Sequence, residues 1–460
     1  MSQSATTDLS VSERFAQSLA KIRYEDIPEK TRGVILDDLI DCFGLIISGR
    51  HAPYVRQLID SCDSDGECTV PGQSRALDAA GAAMVNGAAI HGEDFDDTLE
   101  GSPLHVGCFA VPAVLAATER FGLSGKNLML GVAVGMEAAS RLNAVAPGKI
   151  HAQGFHPTAA IGPFGAAAGV SAALGLSPQT MASAFGVAGS LASGIIEYLA
   201  EGAWTKRLHP GWAAQAGYRA ARIAQQGFLA PRRVFDGKHS FYHAFAPTAQ
   251  PAFEHLTEGV GENWRIDGLT FKPFASGTMT HPYMDCMIRL AAENHDPDDI
   301  VDILCETSDG YVHRLWEPLA EKHQPGNGYA AKFSVPWCMA MAYFEKDAGL
   351  AQFAEELVHD AKIVQLAKKI RYVVDPNNEY PANYTGHIKV TFRDGKVREI
   401  RQPYMRGSSR APLSHDDLVR KFRGNIIYGG WSPAMGERLL DFLLDMPAHR
   451  DLTGLCMFRL

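Results

Sequence analysis

The chain has 460 residues, of which 46% are hydrophobic and 21% charged, and it carries a formal net charge of −9. That length exceeds what one core usually serves, so two domains are expected, and the ordinary composition excludes extensive disorder. The negative balance excludes a general attraction for nucleic acid or an anionic membrane, and eight cysteines without a CxxC or a cluster exclude a disulfide framework and a zinc ribbon.

A cytoplasmic location follows as the expectation, since "MSQSATTDLSVSERF" lacks a basic region followed by an apolar run. Longer apolar stretches are interrupted by Gly, Pro or charge and are read as unable to span a bilayer. Ser10 and Glu13 have capping-box spacing and open a first helix through Phe15, Leu19 and Ile22. "TRGVILDDLIDCFGLIISG" repeats the helical pattern with Val34, Leu36, Ile40, Leu45 and Ile46 on a broad apolar face. "ALDAAGAAMVNGAAIHGE" is small, apolar and glycine-rich, which predicts a buried helix packed closely on its neighbours.

That helix leads into "HGEDFDDTLEGSPLHVG", residues 91–107, with five carboxylates and two histidines. The spacing fits neither a calcium loop nor HExxH, so no metal is assigned; a solvated acidic loop and an acid/base centre are the other readings. If the helix continues, Asp94 and Thr98 share a face while Asp96 and Asp97 point away, and His105 returns beyond the break as a proton-transfer group.

The small-residue texture recurs in "NLMLGVAVGMEAASRLN", "HPTAAIGPFGAAAGVSAALGL" and "TMASAFGVAGSLASGIIEYL". Glu137, Arg141, His156 and Glu197 punctuate these segments, either as satisfied helix faces or as a polar pocket, and Arg141 is taken as a substrate-binding candidate. His156 precedes Pro157 at a helix start, where anions are favoured. "EGAWTKRLHPGWAAQAG" sets Lys206, Arg207 and His209 before another start, suited to a substrate carboxylate or to a surface turn.

Beyond about residue 264 the texture turns mixed and β-leaning. "PDDIVDILCETSDGYVH" reads as strand, "HIKVTFRDGKVREIRQPYM" as a hairpin about Asp394-Gly395, and "FKPFASGTMTHPYMD" contributes Lys272 and His281. "SVPWCMAMAYFEKD", "FAEELVHDAKIVQLAKKIRYV", "SHDDLVRKFRG" and "MGERLLDFLLDMP" supply helices. The expected organisation is a helical domain over 1–264, an α+β domain over 265–405, and C-terminal helices over 406–460 returning to the first. No GxGxxG, GxxxxGK[ST] or GxSxG string is present, which leaves cofactor-free chemistry on a small anion.

Taken together, "HGEDFDDT", "GFHPTAAIGPFGAAA", "ASGIIEYLAEGAWTKRLHPGWAAQAG", "FKPF" and "AKFSVPW" resemble the MmgE/PrpD family, from about residue 10 to the last helix. The family includes 2-methylcitrate dehydratase, cis-aconitate decarboxylase and iminodisuccinate epimerase. The resemblance implies a mainly α fold, with a large all-helical domain and a smaller α+β lid. It also implies a homodimer without metal or organic cofactor, acting on a small di- or tricarboxylate. Carried over residue by residue, it makes Asp94, Thr98, His105, His156 and Lys206 catalytic candidates, with Lys272 and His281 around the substrate, where the local readings add Arg207 and Arg141. The histidine at 105 is reached through "LEGSPLHVG", a departure from the commoner arrangement, and Trp337 stands where relatives often have tyrosine. Dehydration of a 2-methylcitrate-like acid is the favoured reaction. Decarboxylation of a cis-aconitate-like acid, epimerisation of an iminodisuccinate-like compound, and a non-catalytic anion-binding or scaffold role are the alternatives.

Overall fold

The computed structural model describes residues 9–201 and 203–459; residues 1–8, with which the expected first domain begins, lie outside them, as do 202 and 460. The chain forms two compact units. The first comprises residues up to Gly92, Asp96–Leu269 and Gly429–Leu460; the second comprises Glu93–Phe95 and Thr270–Tyr428.

The first unit is helical. Its opening helix, Val11–Leu19, carries the capping box: the Ser10 side chain accepts from the Glu13 amide, and the Glu13 carboxylate accepts from the Ser10 amide at 2.8 Å. Its centre is built from Ala79–His91, Gly107–Phe121, Gly125–Val145, Pro157–Ala173 and Thr205–Gln225, which pack on one another. Every residue of Ala79–His91 is buried. A helix so uniformly apolar has no solvent face, and its alanines and glycines allow backbones rather than side chains to meet. Where Ala79–His91 crosses Thr205–Gln225, a Cβ on Gly211 would lie 2.1 Å from the Met84 carbonyl oxygen, and one on Gly87 would lie 2.8 Å from the Gly211 Cα.

Gly125–Val145 is long and apolar enough to cross a membrane, contrary to the expectation that every apolar stretch is too interrupted. Inside this unit it is a core helix, with 83% of its apolar window buried and the Glu137–Arg141 ion pair within it.

The second unit is α+β. Its four-stranded sheet runs in the order Ile370–Val374, Ile300–Thr307, Gly386–Phe392, Val397–Gln402, the first pair parallel and the others antiparallel. The last two strands are the expected hairpin, with Gly395 at φ +82° in its turn. "KIRYV" differs from the helical expectation: the helix stops at Ala367, and Ile370–Val374 pairs with Ile303–Thr307, burying Ile370 against the sheet. The helices His281–Ala292 and Val335–Glu345 pack together, and the first also covers the hairpin.

Trp337 is fully buried on Val335–Glu345, with its Nε1 donating to the Val358 carbonyl at 3.3 Å and its ring against Phe353, so it is a core residue of this unit. The helix His415–Tyr428, expected to begin the return to the helical domain, is part of the second unit. It buries Leu418, Val419 and Phe422, and its Lys421 binds the Phe95 carbonyl. The return begins at Gly429 and includes the terminal helix Pro433–Leu444.

Candidate active site

In the first unit, the close approach of Gly87 to Gly211 fixes the backbone four residues before His91 and two residues after His209. His156, at the N-cap of Pro157–Ala173, completes the contact between those helices. Its ring centroid is 5.7 Å from that of His91 and 5.4 Å from that of His209, and its Nδ1 is 3.3 Å from the His209 Nδ1. His105 enters from the segment before Gly107–Phe121, with its ring 4.5 Å from His91 and its backbone N–H donating to Thr158 Oγ1 at 3.1 Å.

One carboxylate organises this group. Asp96 Oδ2 accepts from His91 Nδ1 at 2.8 Å, and Asp96 Oδ1 lies 3.4 Å from His105 Nδ1. The His105 Nδ1 also donates to the Asp97 carbonyl at 2.6 Å. A carbonyl and a carboxylate only accept, so both Nδ1 atoms carry hydrogen, and each ring turns its Nε2 away from these acceptors. Asp97 itself accepts from the Val106 and Gly107 amides at 2.9 and 3.0 Å, capping the next helix.

Burial, reinforced for His91 and His156 by the Lys206 charge, keeps the imidazoles neutral: His91 falls to about 4, His209 to about 4, and His156 well below its ordinary value. Burial would raise Asp96, but the adjoining His105 and His91 outweigh it and hold the carboxyl well below the usual range. Its neighbour goes the other way, since burial and then the Asp96 charge lift Asp97 to about 7. Asp38, buried beside Asp97, is raised well above its ordinary value by burial and then by the Asp97 charge. One ring nitrogen from each of His91, His105 and His156 lies within 4.8 Å of the others, which gives the trio metal-ligating as well as proton-transfer capacity.

The carboxylate that turns toward the histidines is Asp96, reversing the expected facing. The helix ends at His91 rather than continuing, and Asp94 sits at φ +57°, a left-handed conformation that Asp tolerates and that breaks helical spacing. The Thr98 hydroxyl donates within its own turn, to Ser102 O at 3.3 Å and Leu104 O at 3.5 Å. The Arg207 guanidinium stacks 4.7 Å over Tyr54 and 5.6 Å over Trp204.

The Arg141 guanidinium, expected to bind substrate, is engaged by protein groups. Its Nε donates to Glu137 at 2.6 Å, and its two terminal nitrogens donate to the carbonyls of His255, Glu258, Gly259 and Asn263. All five N–H bonds are thereby used, one on Glu137 of the same helix and four on pinning a loop.

The second unit holds a different polar group. Three ammonium groups take three consecutive carbonyls: Lys332 binds Glu93 O at 2.7 Å, Lys272 binds Asp94 O at 2.8 Å, and Lys421 binds Phe95 O at 2.6 Å. Lys332 also meets the Glu93 carboxylate at 2.9 Å, and Lys272 the Asp94 carboxylate at 3.2 Å. The His281 Nε2 donates to Ser276 O at 3.1 Å, and burial with the nearby Lys272 charge lowers the ring to about 3. Sequence reasoning found Lys272 and His281 but missed Lys332 and Lys421, because isolated lysines far from the acidic string carry no local signal. His91 and Asp96 were seen in the string but not assigned.

Residues 13–254 match the MmgE/PrpD N-terminal domain, and residues 274–430 match the MmgE/PrpD C-terminal domain. The chain belongs to the MmgE/PrpD family. Its relatives in that family include cis-aconitate decarboxylase of Homo sapiens, 30% identical over 75% of this chain and 72% of the relative. Cis-aconitate decarboxylase of Mus musculus is 28% identical over 90% and 86%, and cis-aconitate decarboxylase-like protein oryM of Aspergillus oryzae is 26% identical over 91% of both. Family membership agrees with the fold, a mainly helical unit with a smaller one built on a sheet.

Proposed function

We propose that this chain is a lyase that moves a proton at carbon in a small di- or tricarboxylic acid, with loss of water from a 2-methylcitrate-like hydroxy acid as the reaction. What supports this reading above all is the cluster of buried imidazoles around Asp96, of which His91 and His156 are held neutral. A neutral imidazole is poised to take a proton, and water loss from a β-hydroxy acid begins by taking one from carbon next to a carboxylate.

In this reading Lys206 attracts a substrate carboxylate, and the negative charge that develops there is stabilised by the ammonium. The incoming anion also offsets the Lys206 charge that depresses His156, so the ring holds the abstracted proton more readily once substrate is bound. His156 or His105 takes the carbon-bound proton, the electron pair forms the double bond, and the β-hydroxyl departs as water with the proton that the imidazolium returns, which restores the neutral ring. Asp96 fixes the tautomers of His91 and His105. Lys272, Asp94 and His281 belong to the same proposal through the family resemblance, as does homodimeric assembly, while Arg207 and a cytoplasmic location enter it from the sequence reading.

Decarboxylation of a cis-aconitate-like acid is the second reading, favoured by the printed activities of the mouse and human relatives. The test is to incubate EDTA-treated protein in deuterated buffer with a panel of di- and tricarboxylic acids and follow each by proton NMR. Water loss with deuterium exchange at the adjoining carbon supports the first reading, and loss of carbon dioxide the second. Silence from folded protein across the panel refutes both.

A further inference from the structure

We propose that His91, His105 and His156 form a binding site for a borderline divalent transition-metal ion of the zinc class, and that occupancy of this site shuts off proton transfer. The three rings each place a nitrogen within 4.8 Å of the others, and all three side chains are buried. The hydrogen bonds identify the ligating atoms. His91 Nδ1 is hydrogen-bonded to Asp96 and His105 Nδ1 to the Asp97 carbonyl, which leaves Nε2 of those two rings for the ion, while His156, whose Nδ1 lies 3.3 Å from the His209 Nδ1, offers its Nε2 when that Nδ1 is the donor. The His91 Nε2 is completely buried and has no hydrogen-bonding partner, an unsatisfied lone pair inside the cluster.

The chemistry of the set selects the ion. Neutral imidazole nitrogens suit zinc and its neighbours, whereas magnesium and calcium take oxygen. Asp96, hydrogen-bonded to the far nitrogen of His91 and close to that of His105, has the position of the carboxylate that commonly backs a metal-bound imidazole and compensates the ion's charge. The alternative grouping of His91, Asp96 and Cys108 is weaker, since burial holds the Cys108 thiol well above its ordinary value and thus protonated.

Nitrogens around a tetrahedral zinc ion with bonds of about 2.0–2.1 Å stand ~3.4 Å apart, so the rings close by at most about 1.5 Å on binding. In the same unit a cavity of about 560 Å³ is lined by Tyr198, His209 and Trp212, and the His209 ring stands between that cavity's lining and His156, 5.4 Å from the latter. Lys206 opposes the ion by charge, which sets affinity below that of a dedicated structural site and makes binding reversible. The metal site stands on the imidazole geometry alone; the loss of activity rests on the proton-transfer reading, because the ion takes the Nε2 lone pairs that the reaction uses.

The test starts from EDTA-treated full-length protein. Zinc titration by calorimetry is expected to show one ion per chain, cobalt(II) to give visible absorption of a nitrogen-bound low-coordinate ion, and magnesium to give neither. His91→Gln is expected to weaken zinc binding at least about 100-fold, and Asp96→Asn about 10- to 100-fold. His359→Gln, at an exposed position, is expected to leave binding unchanged. No stoichiometric zinc binding by folded protein overturns the proposal, and so does binding that His91→Gln leaves intact. If that variant does not fold, zinc-edge X-ray absorption on the unaltered protein decides: three imidazole nitrogens support the site, and fewer than three overturn it. Zinc bound at three imidazoles while turnover continues refutes the shut-off and the proton-transfer reading without removing the metal site.

Discussion

The two polar groups draw on one acidic string and use it in opposite ways. In the helical unit, Asp96 and Asp97 are spent on imidazoles and a helix start, and the surrounding burial leaves His91 and His156 neutral. In the α+β unit, Glu93–Phe95 is clamped by Lys332, Lys272 and Lys421 through three successive carbonyls. The first arrangement tunes proton affinity and the second immobilises backbone. Identical residue types one or two positions apart therefore do chemistry or architecture according to which unit they belong to.

Substitutions separate the two. The largest effect is expected at the histidines: His156→Ala should lower turnover by roughly 10²- to 10⁴-fold with the fold retained, read by steady-state kinetics beside circular dichroism. A comparable loss from unfolding alone would erase the distinction.

In the clamp, Lys272→Ala leaves the buried Asp94 charge without its partner and should cost about 3–5 kcal/mol of stability in urea titrations. The double change with Asp94→Asn should cost less than the sum of the single changes, as a shared pair requires. Arg141→Ala carries a similar cost, about 3–5 kcal/mol, because it strands Glu137, yet the folded fraction should keep its turnover. A selective loss of substrate affinity there would restore Arg141 as a binding residue.

Gly211→Ala tests the helix crossing that supports the imidazoles. Its Cβ meets the Met84 carbonyl at 2.1 Å, so about 1–3 kcal/mol of stability and part of the turnover should go together, measured by thermal melts and kinetics on the same sample.

The smallest effect is in pH dependence. A histidine lowered from its ordinary value near 6.5 to about 4 in the folded state, as His91 is, binds its proton more readily when unfolded. Stability from this source is present above about 6.5 and is lost as pH falls toward 4. Asp97, raised to about 7, works in the opposite sense, so the informative quantity is the difference between wild type and His91→Gln. The variant should lose less stability on acidification, by up to about 1.4 kcal/mol per pH unit, between pH 6.5 and 4. For His281→Asn the same difference should extend down to about pH 3.

Much of the fold was legible because it is local. The Ser10–Glu13 box, the Asp394-Gly395 turn and the alanine- and glycine-rich helices are statements about neighbouring residues, and each reappears in the structure. "KIRYV" was misread because a short apolar run after a helix has no period of its own, and only the strand beside it makes it a strand. At the site, His105 and His156 were found as titratable groups at helix boundaries, whereas the roles of Asp94 and Asp96 were exchanged. Facing depends on where a helix stops, and the left-handed Asp94 is a single-residue event that helical spacing does not foresee.

By itself the sequence determined the secondary-structure periods, the division of texture near residue 264, and a motif set characteristic of one family. Tertiary structure alone decided which carboxylate serves which cation, that Arg141 pins a loop, and that Lys332 and Lys421 join Lys272 on one three-residue segment. The physical reason is range. Periodicity and capping are set within one or two helical turns, while burial, charge pairing and proton affinity are set by groups that folding brings together from distant parts of the chain.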